Sequence, residues 1–178
     1  MSLISRIIYR VKQFIAAFTN HLNYSEVTFI QNYLTKQEQI LFFSLNIVDQ
    51  KHSLTVSYKC MEKINDNKTN IKLVVRAALL HDIGKANEFI SIWTRVWYVL
   101  LNRKPLKSLL SIFAKENSRI QFRRGFNAIK NHAKRGAGLL RSINSHPIVI
   151  EVCEHHHSLP FSNEPDILPL IRKFDNNS

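Results

Sequence analysis

Residues 73–85 read LVVRAALLHDIGK, and the fold and chemistry of the chain turn on how this stretch is read. Its first eight residues are apolar apart from Arg76, enough for about two turns of buried helix. His81 and Asp82 follow at once. Two ionisable groups at the end of so apolar a helix are costly to desolvate unless they are paired or hold a metal ion. Gly84 lets the backbone leave the helix sharply, and Lys85 adds an ammonium group. An imidazole, a carboxylate and an ammonium are thereby drawn into one small volume. The first two are metal-ligand types and the third is a phosphate contact.

Helical punctuation continues on both sides. Asn70 is placed to cap the LVVRAALL helix, and Asp49 to cap one running through His52, Val56, Cys60 and Ile64. Thr35-x-x-Glu38 has the form of a capping box ahead of the apolar ILFFSL. Pro105 and Pro147 suit a first helical turn, which tolerates a missing N–H, with Asn144 or Ser145 as the cap before Pro147. In the N-terminal stretch Ile4, Ile7, Ile8, Val11, Phe14, Ile15 and Phe18 follow helical spacing. Period-two strands and Asn-Gly or Asp-Gly hairpin turns are not evident. With 178 residues, 45% of them hydrophobic, and only 4 Gly and 5 Pro, the expectation is one all-α domain of roughly seven to nine helices.

Two cysteines, Cys60 and Cys153, cannot make a disulfide framework, so a reducing, cytoplasmic setting is expected. The N-terminus lacks the order of a secretory signal. Residues 89–101 are apolar over 13 positions and contain Arg95, too short to span a bilayer.

The formal net charge is +12. Between Phe89 and Arg135 eleven basic residues face a single acid, Glu116, so this segment carries most of that charge. Such a segment suits an anionic partner: a nucleotide, nucleic acid or a membrane surface at which the protein is peripheral. It is expected to form a rim or lid, with Arg123, Arg124, Lys134 and Arg135 as phosphate contacts. Trp93, Trp97 and Tyr98 within it have the surfaces to stack on a base, though their helical spacing favours core packing.

Histidine and aspartate placement supplies the chemistry. Taken singly, His52 suits a hydrogen-bonded core position, His132 a basic face, His155-His156-His157 an exposed tract, and Asp175 a terminal residue. Together they read His52, His81-Asp82, His132, His155-His156, Asp175, each on a separate helix. Helices of a bundle can aim such residues at one centre.

The ordered set resembles the HD-domain metal-dependent phosphohydrolases. HDIGK after AALL is similar to the family's signature, DQKHSL to its first histidine segment, and NHAKRGAGLL to the His-x-x-x-Gly-Ala helix of its two-metal members. VCEHHH resembles their paired histidines and IRKFD their last helix, so that residues 49–175 carry the pattern. Residues 1–48 then form an N-terminal helical extension and 86–130 a basic, aromatic insertion. The resemblance implies one or two divalent transition-metal ions, Fe or Mn before Zn, Co or Mg. One ion would be held by His52, His81, Asp82 and Asp175. Asp82 would bridge to a second, held by His132 and by His155 and His156 as the favoured two of the three consecutive histidines. Asp82 and Lys85 would be catalytic, with Lys85 on a substrate phosphate. The implied reaction is hydrolysis of a phosphoester or phosphoanhydride, with a nucleotide as substrate. HHHSLPFSNEP stands where a Gly-Tyr-Pro run would mark the cyclic-di-GMP phosphodiesterases, which counts against that branch. A non-catalytic signalling module and a binder of membrane or nucleic acid are the other classes that this fold and charge allow.

Overall fold

The computed structural model describes residues 21–64, 70–86, 94 and 121–177, with the backbone alone at 121–124 and 126. The expected N-terminal helix around Ile4–Phe18, the helix start at Pro105, the aromatic residues Trp93, Trp97 and Tyr98, and most of the basic insertion lie outside the described residues. Among those described there are seven α-helices and no strand. They are α1 (Tyr24–Tyr33), α2 (Lys36–Phe43), α3 (Ile47–Lys63), α4 (Ile71–Leu80), α5 (Gln121–Ser142), α6 (Pro147–His155) and α7 (Leu168–Asp175). A 3-10 turn, Ile83–Lys85, follows α4. None of the described helices is long and apolar enough to cross a membrane.

α4 lies at the centre, packed against α3 and α6 and in contact with α1 and α2. Val74, Val75, Ala77, Ala78, Leu79 and Leu80 are fully buried, so most of its surface is core. Each such Leu or Val contributes about 1.5–3 kcal/mol relative to exposure, which fixes the position of whatever follows Leu80. Helices α1 and α2, in the region expected as an extension, bury Ile30, Leu34 and Phe42 in the same core.

The capping box is formed: Thr35 Oγ1 accepts from the Glu38 amide, and the Glu38 carboxylate accepts from the Thr35 amide. Glu38 is then fully buried, where it also receives Arg76 of α4 through Nε and Nη2 and the Ser145 hydroxyl. Asn70 caps α4. Two caps differ from expectation. Asn46, rather than Asp49, caps α3, which begins three residues earlier and leaves Asp49 inside the first turn. His146 caps α6, its ring nitrogen accepting from the Ile148 amide at 3.2 Å. Asn144 takes a left-handed φ of 52° instead, and Ser145 is drawn to Glu38.

Gly84 does not adopt a positive φ. Its requirement is for space: a Cβ there would sit 1.8 Å from the His132 carbonyl oxygen. Gly136, one turn further along α5, meets Gly84 in the same way, a Cβ on it lying 2.9 Å from the Gly84 amide. Two glycines on separate elements thus bring the turn after His81-Asp82 into backbone contact with the helix that carries His132.

Candidate metal centre

Helical periodicity turns the chemistry-bearing side chains inward. Along α3, Asp49, His52, Val56 and Cys60 share a buried stripe. On α5 the stripe is Gly125, Ala128, His132, Gly136 and Leu140, and on α7 it is Leu168, Ile171 and Asp175. The apolar members secure each helix, and the polar member of each stripe is carried into the interior with them.

The result is two nests that share Asp82. In the first, His52 Nε2 lies 2.9 Å from Asp175 Oδ1, and His81 Nε2 lies 3.5 Å from that same oxygen. Asp82 Oδ2 faces this nest, 3.6 Å from His81 Nε2 and 3.8 Å from His52 Nε2. Asp82 Oδ1 faces the second nest, 3.1 Å from His132 Nε2 and 3.7 Å from His156 Nε2. There His132 Nε2 is 3.1 Å from both His156 Nε2 and His157 Nε2. The donor atoms of His52, His81 and Asp175, and separately those of Asp82, His132, His156 and His157, lie within 4.8 Å of one another.

Three of these imidazoles are oriented alike. His81, His132 and His156 each donate Nδ1–H to the carbonyl three residues back, that of Ala78, Ile129 and Cys153, at 2.7, 2.6 and 2.8 Å. A proton fixed on Nδ1 leaves the lone pair on Nε2, the tautomer that a metal ligand needs. The Nε2 lone pairs of His132 and His156 then converge at 3.1 Å, which is repulsive unless a proton or a cation lies between them. That separation matches adjacent ligands on an ion with bonds of about 2.1 Å. Buried His81 Nε2, Asp82 Oδ1 and His52 Nδ1 have no hydrogen-bond partner, and leaving buried polar atoms unsatisfied costs about 1–3 kcal/mol each. Of these, His81 Nε2 belongs to the first nest and Asp82 Oδ1 faces the second. A divalent cation could satisfy these two atoms; no side chain among the described residues does.

The electrostatics agree. Burial would raise the Asp82 carboxyl, but the charges of Lys85 and His81 beside it outweigh that and hold it well below the usual carboxylate range. Asp175 is likewise held ionised, burial being outweighed by the hydrogen bond with His52 and the nearby charge of His81. Burial pushes His52, His132 and His156 down, toward the neutral form. His157 falls to about 4, through burial and then the neighbouring His156. For His81 burial is overcome by Asp82 and Asp175, and it rises to about 9. Ionised carboxylates beside mostly neutral imidazoles are what divalent ligation requires. Cys153 adds no thiolate: its Sγ faces the His81 carbonyl at 3.3 Å, and burial pushes the thiol up.

His155 requires a correction. It is not in either nest; Nδ1 lies 3.3 Å from Ser158 Oγ and its ring packs on Phe161. The adjacent pair brought to His132 is His156 and His157. The reason is the register of α6, where Val149, Val152 and Cys153 are buried and His156 continues their stripe, whereas His155 falls on the outer side. That spacing is already present in PIVIEVCEHHH. His157, half-exposed, reaches the site from the turn beyond the helix.

Lys85 faces the nests, with Nζ 2.5 Å from Asp82 Oδ2. Arg135 is directed to the protein, donating from Nη2 to the Ala86 carbonyl at 3.0 Å and so holding the end of the HDIGK turn. Lys134 is exposed. Arg123 and Arg124 lie in α5, their side chains outside the described ones. Arg172, which the sequence did not single out, donates to Glu164 Oε2 at 2.7 Å and to the His155 carbonyl at 3.3 Å. It ties the turn carrying His156 and His157 to the helix that delivers Asp175.

Comparison with curated proteins and with solved structures gave no match. The family model described as HD domain matches residues 50–172, from just before His52 to Arg172, and Asp175 lies three residues beyond. With that match over most of its length and the His-Asp nests in an all-α fold, the chain belongs to the HD-domain superfamily of metal-dependent phosphohydrolases.

Proposed function

We propose that this protein is a metal-dependent hydrolase of phosphoesters or phosphoanhydrides, with a nucleotide as the substrate class. One observation carries the reading: the two oxygens of a single buried carboxylate, Asp82, face two different groups of imidazole nitrogens, and its Oδ1 and His81 Nε2 have no hydrogen-bond partner. The first group, His52, His81 and Asp175, would hold one ion, and His132, His156 and His157 a second, with Asp82 common to both. Nitrogen and oxygen donors without thiolate favour Fe or Mn, with Zn and Co next. When bound, such ions bring the ionisation of a coordinated water near neutral pH and offset charge on phosphoryl oxygens.

The chain's own groups supply the rest. Asp82 and Asp175, kept ionised, provide the negative charge that retains cations. Backbone carbonyls at Ala78, Ile129 and Cys153 keep His81, His132 and His156 from rotating away. Lys85 brings an ammonium to the same volume, where it would bind a phosphoryl oxygen and balance the charge that develops on it. His157 stands on the open side of the second nest, with half its side chain exposed, which marks the direction from which a substrate approaches. Lys134 is exposed on α5, and Arg123 and Arg124 precede His132 on the same helix; these cations would favour a multiply charged nucleotide over a neutral ester.

The test is a panel of nucleoside phosphates, dinucleotides and generic phosphomono- and diesters, assayed anaerobically with Mn2+ or Fe2+. Activity that needs the metal and disappears in Asp82→Ala supports the proposal. Activity untouched by that substitution, or by chelation, contradicts it.

A further inference from the structure

Lys85 has two carboxylates within reach. Nζ is 2.5 Å from Asp82 Oδ2 and 3.8 Å from Asp49 Oδ1. Asp49 is buried, with its side chain only 2% exposed, on the inward stripe of α3 one turn before His52. Its other oxygen, Oδ2, accepts from the Asn46 amide group at 2.5 Å. Asp49 is therefore anchored at the start of α3 with Oδ1 turned toward the ammonium.

The arrangement has a consequence for any cation that enters the nests. An ammonium 2.5 Å from Asp82 Oδ2 occupies an oxygen that the ion needs and repels the ion's charge. Were Asp82 the sole anion nearby, displacing Lys85 would leave a largely buried ammonium without compensation, which is expensive. Asp49 removes that difficulty by presenting a second carboxylate 3.8 Å from Nζ. Resting on the metal reading of the two nests, we infer that Asp49 is a positioning residue: it receives Lys85 when a cation takes Asp82, and it keeps the ammonium at the edge of the site, where a phosphoryl oxygen would meet it. Asp49 touches neither the ion nor the substrate in this role; it acts through Lys85.

A double-mutant cycle on Mn2+ affinity tests this without any activity assay. Titration calorimetry with Mn2+ alone is applied to the full chain, to Asp49→Asn, to Lys85→Met and to the double variant. Removing the competing ammonium in Lys85→Met tightens Mn2+ binding. Asp49→Asn, in which the lysine has no second anion, weakens it by about tenfold, a coupling within the range for groups in contact. In the double variant that loss disappears, and its affinity equals that of Lys85→Met within about twofold. A role confined to the start of α3 would instead make Asp49→Asn weaken binding equally with Lys85 present or replaced, and that result overturns the inference. Lys85→Met leaves the α3 cap intact and gives an independent reading should Asp49→Asn fail to fold: binding unchanged or weakened in it also overturns the inference. Wild-type protein that takes up no Mn2+ overturns the metal reading and this inference together, whereas Mn2+ uptake with an additive cycle overturns this inference alone.

Discussion

Glu38 and Asp82 are both buried carboxylates held by neighbouring cations and hydrogen-bond donors, yet they are finished differently. Glu38 receives the Thr35 amide, two nitrogens of Arg76 and the Ser145 hydroxyl, and neither of its oxygens is left without a partner. Asp82 receives Lys85 on Oδ2, but Oδ1 has imidazole nitrogens on its side and no aligned hydrogen bond. The first is a closed network that joins α2, α4 and the α5–α6 connection. In the second the donors are gathered and polarity is left unsatisfied. A buried charge completed by the protein serves the fold; one that the protein leaves incomplete serves a ligand.

This contrast predicts opposite mutational signatures. The largest effect belongs to Asp82→Ala, which should lower metal-dependent activity by at least about 100-fold. It should also abolish the Mn2+-induced rise in melting temperature, worth about 2.7 kcal/mol at a hundred times Kd. Some metal-free stability should also be lost, because Lys85 and His81 hold Asp82 ionised in the folded chain. The response to Mn2+, rather than the melting temperature itself, is therefore the discriminating readout. Equal thermal response to Mn2+ in the two proteins would break the comparison.

Next comes Glu38→Ala. Removing one partner of a buried ion pair costs about 3–5 kcal/mol. Arg76 is partly exposed, so the loss should be nearer about 2–4 kcal/mol by urea denaturation. The Mn2+ response of the folded fraction should survive. A Glu38→Ala protein with full stability and impaired metal binding would reverse the assignment of the two carboxylates.

A smaller effect separates neighbours in sequence. His157→Ala should weaken Mn2+ binding by about 10–100-fold, whereas His155→Ala should change it by less than about twofold. Calorimetric titration of the two variants checks this, and equal losses would contradict the register described for α6.

The pH dependence of stability gives the mildest signal. Burial pushes the Glu38 carboxyl up, but the hydrogen bonds from Arg76, Ser145 and Thr35 outweigh it, so its folded value lies below the ordinary one. The stabilisation is therefore complete above the unfolded glutamate pKa of about 4.3 and is lost as pH falls through the lower folded value. In a comparison of melting temperatures, Glu38→Gln should lose less on going from pH 5 to pH 3 than the wild type does. Parallel curves would show that Glu38 makes no such contribution.

Much of this was legible in the chain because it depends on local rules. The capping box at Thr35–Glu38, the cap at Asn70 and the position of Pro147 need only neighbouring residues. HDIGK after an apolar run marks a buried ionisable pair for the same reason. What was not legible depends on distant partners. Gly84 reads as the point where the backbone leaves the helix until the His132 backbone, far along the sequence, is seen against it. Asp49 reads as a cap, because the pull of Lys85 is invisible without the fold. Ser145 likewise reads as a cap, although its hydroxyl bonds to Glu38, 107 residues distant. The choice among His155, His156 and His157 is intermediate: the stripe through Val149, Val152 and Cys153 selects His156, but only the turn after α6 brings in His157.

Diffraction from crystals grown with Mn2+, recorded at the manganese absorption edge, tests the central claim most directly. An anomalous peak within coordinating distance of an Asp82 oxygen, and of Nε2 of His81 or His132, is the predicted result. Manganese found only at the protein surface, or nowhere, with the imidazoles still gathered around Asp82, would contradict it.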